Sequence, residues 1–206
     1  MDYTYELKQK IQEIWNLSNK YEINTFNKIV EETVVRLEQE IKIDIQEGKN
    51  EKGFLKYFEI DLKKQGVTTA LELKIINEYR NLEIYLTRLL IESYNLDEST
   101  KFLNWDSFFN FLKEKKNIRD IKQIDGYQEA NQLKKTVSVL KHSIKKLTED
   151  ARTKDILEFK ENGIYETDSL KKFYDRVRPQ ILIFAGAYAD KIVENLRDTE
   201  KSNNNK

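Results

Sequence analysis

A chain of 206 residues makes one domain of ordinary size or at most two small ones. Its 36 Lys and Arg cancel its 36 Asp and Glu, so no global basic field points to nucleic acid. Zero cysteine excludes disulfides, thiolate zinc sites, iron–sulfur clusters and cysteine nucleophiles, and a single histidine, His142, excludes any site that needs two imidazoles.

One proline, six glycines and 21 Phe and Tyr (10 and 11) favour an all-α bundle of about six or seven long-cored helices over a sheet-rich fold. A first helix is expected where Leu7, Ile11, Ile14 and Trp15 recur at three- and four-residue steps. A second is expected over about 23–47, with Ile23, Phe26, Ile29, Val30, Val34, Leu37 and Ile41 on one stripe, closed by the polar loop Gly48–Gly53. Residues 54–64 read as a brief helix or a strand-like excursion that Gly66 ends, after which Thr68 or Thr69 caps a central helix over 70–94. Asp106 or Ser107 is expected to cap an aromatic helix through Phe108, Phe109 and Phe111, with Lys113 to Lys116 in its last turn. Asp125-Gly126 introduces a helix over about 127–147, and a polar connection to Glu166 holds one helical turn around Ile156-Leu157. The last helix runs from Thr167 or Asp168 to about Arg197 and should kink at Pro179. One domain over 1–200 and a disordered tail over 201–206 complete the reading. The N-terminus has no signal-peptide pattern, and the longest apolar stretch, 181–187, is too short for a membrane span, so a cytoplasmic protein is expected.

The residues that invite a chemical reading lie on the helix over 127–147. At about 100° per residue, Leu133, Val137, Leu140, Ile144 and Leu147 oppose His142. Lys135, Ser138, Lys145 and Lys146 fall within about 60° of it. A lone imidazole on a polar, cationic face suits an anionic partner, most simply a phosphodiester. Lysines would hold the phosphate while the imidazole moves protons.

This stretch, Lys135-Thr136-Val137-Ser138-Val139-Leu140-Lys141-His142, resembles the HEPN helical domains, many of them metal-independent ribonucleases. The family carries Arg, then four to six residues, then His; here six residues separate Lys135 from His142. The longer run from Gln132 to Ser143 is also similar to the "Leu-Arg…Asn-x-x-Lys-His" helix of some HEPN-like defence proteins, with Ser138 in place of Asn. The resemblance covers about twenty residues and the all-helical layout. It implies that His142 is general base or acid for a 2′-hydroxyl attacking the neighbouring phosphate. Lys135 would steady the charged phosphorane, and Ser138, Lys141, Lys145 and Lys146 would hold RNA. It further implies a homodimer with two His-bearing helices along one cleft, no cofactor, and a role in bacterial or phage conflict as a ribonuclease toxin or abortive-infection effector. Lysine offers phosphate a point charge where arginine offers a planar fork, so a catalytically dead relative fits the same pattern.

Other residues read differently. Arg176 and Arg178 read as a solvated face paired with Asp175, with an anion or a partner's carboxylate as the alternative. Glu31, Glu32, Glu38 and Glu40 beside Lys28, Arg36 and Lys42 read as the mixed charge of a bundle surface. Tyr79-Arg80-Asn81 interrupts the central helix with polar groups, and Trp105, Phe108, Phe109 and Phe111 read as core, although such rings also stack bases. The sequence is therefore read in two ways. One is an RNA-cleaving HEPN-like protein, with RNA and an antitoxin or other protein as partners. The other is a non-catalytic helical interaction or regulatory protein with a protein partner and no membrane.

Overall fold

The computed structural model describes residues 9, 13, 24–48, 54–97, 99–100, 102, 105–142, 147, 149–160 and 167–204. Among these there are six α-helices and no strand. They are α1 (Asn24–Gly48), α2 (Phe54–Tyr94), α3 (Trp105–Asn110), α4 (Tyr127–His142), α5 (Leu157–Lys160) and α6 (Thr167–Asn204). α3 continues as a π-helical turn over Phe111–Lys115, and a 3-10 turn covers Ile121–Gln123. The expected first helix, through Leu7, Ile11, Ile14 and Trp15, lies outside the described residues. No described helix is long and apolar enough to cross a membrane.

The chain forms two compact units. One takes residues 24–79 and 132–177, the other 80–131 and 178–204. In the first, α1 packs its apolar stripe through Val30 and Val34, while Val67, Leu71 and Ile75 of α2 and Leu170 and Phe173 of α6 are buried. Charges brace this core. Lys74, itself buried, donates to Glu31 at 2.7 Å and lies 4.3 Å from the centre of the Tyr174 ring, whose hydroxyl donates to Glu78 at 3.2 Å. Lys171 pairs with Glu38, and Lys63 sits between Asp44 (2.6 Å) and Glu40 (3.3 Å). Glu32 and Glu40 do pair along α1 with Lys28 and Arg36. Glu31 and Glu38, also expected on a solvated surface, instead join α1 to α2 and α6.

Four expectations change. Residues 54–94 are one helix rather than two, and Gly66 lies inside it. A Cβ on Gly66 would come within 3.3 Å of Leu37 Cδ1, so this glycine is a notch that lets α1 approach. Thr68, expected as an N-cap, bonds back to the Lys64 carbonyl and lies 3.0 Å from the Thr167 hydroxyl. Leu147, expected on the same helix as His142, lies in a turn, where its carbonyl accepts the Thr153 hydroxyl at 2.6 Å. The last helix continues past Arg197 to Asn204, with Thr199 and Ser202 bonding back to the carbonyls of Asn195 and Asp198. α6 stays helical through Pro179.

The second unit is built on rings. Trp105 stacks on Phe184 (centroids 6.1 Å, planes 14° apart), and Phe108 on Tyr188 (5.6 Å, 20°). Leu86, Leu89 and Leu90 of α2 and Ile192 of α6 are buried in the same unit. Of the aromatic run, Trp105 and Phe108 are thus core, and Phe109 and Phe111 are half-buried. Burial pushes the Tyr85 hydroxyl up to about 12, with Asp190 adding to the effect, and raises Tyr94 and Tyr188 as well. The Tyr94 hydroxyl donates to Asn195 Oδ1 at 3.0 Å, and Asn195 donates in turn to the Lys116 carbonyl at 2.8 Å. Of the polar interruption in α2, Tyr79 is buried, Arg80 is exposed, and Asn81 is half-buried with its amide nitrogen lacking a hydrogen-bond partner.

Candidate functional site

α4 orients the residues of interest by helical period alone. Leu133, Thr136, Val137 and Val139 are buried in the first unit, and Lys135, Lys141 and His142 are exposed. His142 is the last residue of α4, and with Lys141 it occupies the final turn, where a cation complements the helix dipole. Ser138 is half-buried and one turn before His142. Lys145 and Lys146 lie outside the described residues. Lys135 and His142 are separated by about 10.5 Å of helical rise, whereas Ser138 is only about 6 Å from His142 along the axis.

What stands at Ser138 was not read from the sequence. Arg152, in the turn that precedes α5, donates from Nη1 to Ser138 Oγ at 2.8 Å. The same guanidinium grips Asp150 through Nε (2.8 Å to Oδ1) and Nη2 (2.8 Å to Oδ2). The Asp150 carboxylate also accepts the Arg152 backbone N–H at 2.9 Å, closing a local Asx turn. Backbone N–H groups of Thr153 and Lys154 close onto the Asp150 carbonyl, so the turn is held by its own bonds. Asp150 hydrogen-bonded to Arg152 raises the guanidinium above its ordinary value and keeps it charged. Three of its five N–H donors are engaged, and the side chain is 43% exposed, which leaves one N–H on each Nη for an anion. The one signal in the sequence was Asp150-Ala151-Arg152, an Asx-turn spacing inside a connection that reads as plain polar loop.

The site therefore consists of an arginine fork on the Ser138 hydroxyl, one helical turn before the exposed His142, with Lys135 and Lys141 exposed on the same helix. Arginine forks match the two oxygens of a phosphate, and an imidazole exchanges protons near neutral pH. Among the described residues no group of three or more His, Asp or Glu is placed to hold a metal ion.

Arg176 is half-buried rather than on a solvated face. It reaches across to Glu158 of α5, with Nε 2.5 Å from Oε1 and Nη2 2.9 Å from Oε2, and donates to Gln132 of α4 at 2.8 Å. Burial alone would raise the Glu158 carboxyl, but the Arg176 bonds outweigh it and the net shift is downward. Arg176 thus clamps α4, α5 and α6 of the first unit.

Comparison with family models, with curated proteins and with solved structures found no match for this chain.

Proposed function

We propose that the His142 face of α4 binds the phosphodiester backbone of RNA and cleaves it, in the manner of a HEPN-like ribonuclease of a bacterial or phage conflict system. The observation that carries this reading is Arg152, held by Asp150 onto Ser138 one turn from the exposed imidazole. It supplies, from outside the helix, the forked cation that Lys135 does not.

In this reading the phosphate sits between Arg152 and Lys135. Nitrogen of the His142 ring takes the proton of the 2′-hydroxyl as its oxygen attacks phosphorus. The bond to the 5′-oxygen breaks, and that oxygen leaves with a proton from an imidazolium or water. The products are a 2′,3′-cyclic phosphate and a 5′-hydroxyl, so protons and charge balance. The Arg152 and Lys135 cations stabilise the extra negative charge of the phosphorane. A second copy of the chain, expected from the resemblance, would bring a second imidazole for the leaving group.

Induced expression tests this in a bacterial host, with growth and RNA integrity followed for the wild type, His142→Ala and Arg152→Gln. Wild type is expected to arrest growth and leave cyclic phosphate ends. His142→Ala is expected to lose activity by about 10²- to 10⁴-fold and Arg152→Gln by about 10²-fold at equal abundance. Intact RNA in all three strains removes the ribonuclease reading.

The second reading, a non-catalytic helical interaction protein, is favoured by one observation. Phe58, Leu62 and Leu73 are each about half exposed and share one side of α2, where a partner helix would seat. It predicts that Leu62→Ser and Leu73→Ser change the biological effect while His142→Ala does not.

A further inference from the structure

We propose that the second unit binds a free amino acid with a large apolar side chain, in a hollow of about 390 Å³ between α2 and the start of α3. The size falls within the range of small-ligand sites, and the walls have the chemistry of one. Phe102, Trp105 and Phe108 form the apolar side. Ile84 stands at the mouth and is 37% exposed, an aliphatic side chain left facing solvent beside buried rings.

The α2 wall is dipolar. Glu83, Thr87, Ile84 and Arg88 follow one another around the helix, so the carboxylate and the guanidinium occupy opposite edges, about 140° apart. Five residues of separation is not a pairing distance along a helix, and neither side chain forms an ion pair with a described residue. Two opposite, unneutralised charges flanking an aromatic hollow fit a zwitterion with an apolar body. Arg88 would take the α-carboxylate by its fork, Glu83 the ammonium, and Thr87 a hydrogen bond between them, while the side chain enters among the rings. A fatty acid would leave Glu83 facing its carboxylate, and an apolar amine would leave Arg88 facing its cation. The site is independent of His142, which belongs to the other unit.

The ligand probes are L-phenylalanine and L-leucine, with 3-phenylpropanoate (no ammonium) and 2-phenylethylamine (no carboxylate) as controls. Trp105 is a built-in reporter, since the sequence holds only one other tryptophan, Trp15, and Trp15→Phe isolates its emission. Calorimetry on the unaltered chain gives a second readout. Saturable binding of L-phenylalanine is expected, with both controls at least about tenfold weaker. Arg88→Gln should weaken L-phenylalanine about tenfold or more and leave 2-phenylethylamine unchanged, and Glu83→Gln should do the converse with 3-phenylpropanoate. Helical content should be the same in both variants. The proposal is overturned if a control binds as well as L-phenylalanine, if neither variant alters its binding, or if neither amino acid binds in either readout.

Discussion

Gly126 precedes α4 with φ at +76°, a conformation that side chains with a Cβ rarely adopt, and a Cβ there would lie 2.1 Å from the Gln180 carbonyl oxygen. Backbone strain and a clash with backbone act together, so Gly126→Ala should cost at least about 3 kcal/mol in urea denaturation. Gly186 is its opposite: exposed, helical, with nothing within 4 Å of a Cβ, so Gly186→Ala should gain about 0.5–1 kcal/mol in the same measurement. A pattern of residue types alone reads Asp125-Gly126 as a turn but cannot tell these two glycines apart, because the distinction lies in what each faces. The Glu158–Arg176 pair has a pH signature. The folded state holds the Glu158 carboxyl below its ordinary value, and its side chain is only 6% exposed. The stability it brings is therefore present above the ordinary glutamate range and is lost as pH falls through the lower, folded value. Arg176→Ala should cost about 2–3 kcal/mol at pH 7, where it strands a buried carboxylate. That cost should shrink when the denaturation midpoint is followed below pH 4.5, because a protonated Glu158 needs no cation.

Periodicity carried most of the helices. The stripes of α1, α4 and α6 are apolar every three or four residues, and burial follows them at Val30, Val34, Leu133, Val137, Leu170 and Phe173. It failed at α2, since a glycine and two threonines read as a stop and a cap, whereas Gly66 serves Leu37 and Thr68 serves Lys64 and Thr167. It failed again past His142, where Leu147 leaves the helix for a turn tied by Thr153. The polar face of α4 was legible, because an exposed face is what period and composition report. Arg152 was not, since its partners Asp150 and Ser138 are set by a turn whose geometry has no repeat. α4 also carries a buried misfit: Thr136 is fully buried and its hydroxyl lacks a hydrogen-bond partner. Thr136→Val keeps the shape and removes the unsatisfied group, so α4 should be steadier by about 1 kcal/mol in thermal denaturation, with no change in any activity of the His142 face.

At the scale of the whole chain, sequence separated the class from the plan. Length, few glycines and one proline pointed to an all-helical protein, and the described residues bear that out. The division into two units at 79/80, 131/132 and 177/178 left no mark in composition, because two of those junctions fall inside the continuous helices α2 and α6 and the third inside α4. Since α2 and α6 each serve both units, loss of either helix undoes both cores. Thermal unfolding should therefore be a single transition, with Trp105 emission and far-ultraviolet ellipticity falling together; transitions separated by several degrees would show the units melting apart. The same threading fixes when folding can finish during synthesis. One core waits for the residues up to 177 and the other for those up to 204, so a nascent chain emerging from the ribosome holds its aromatic and aliphatic surfaces uncovered until the last helix has cleared the exit tunnel. Chaperone demand on such a chain is therefore relieved only as α6 emerges, first for one core and then for the other.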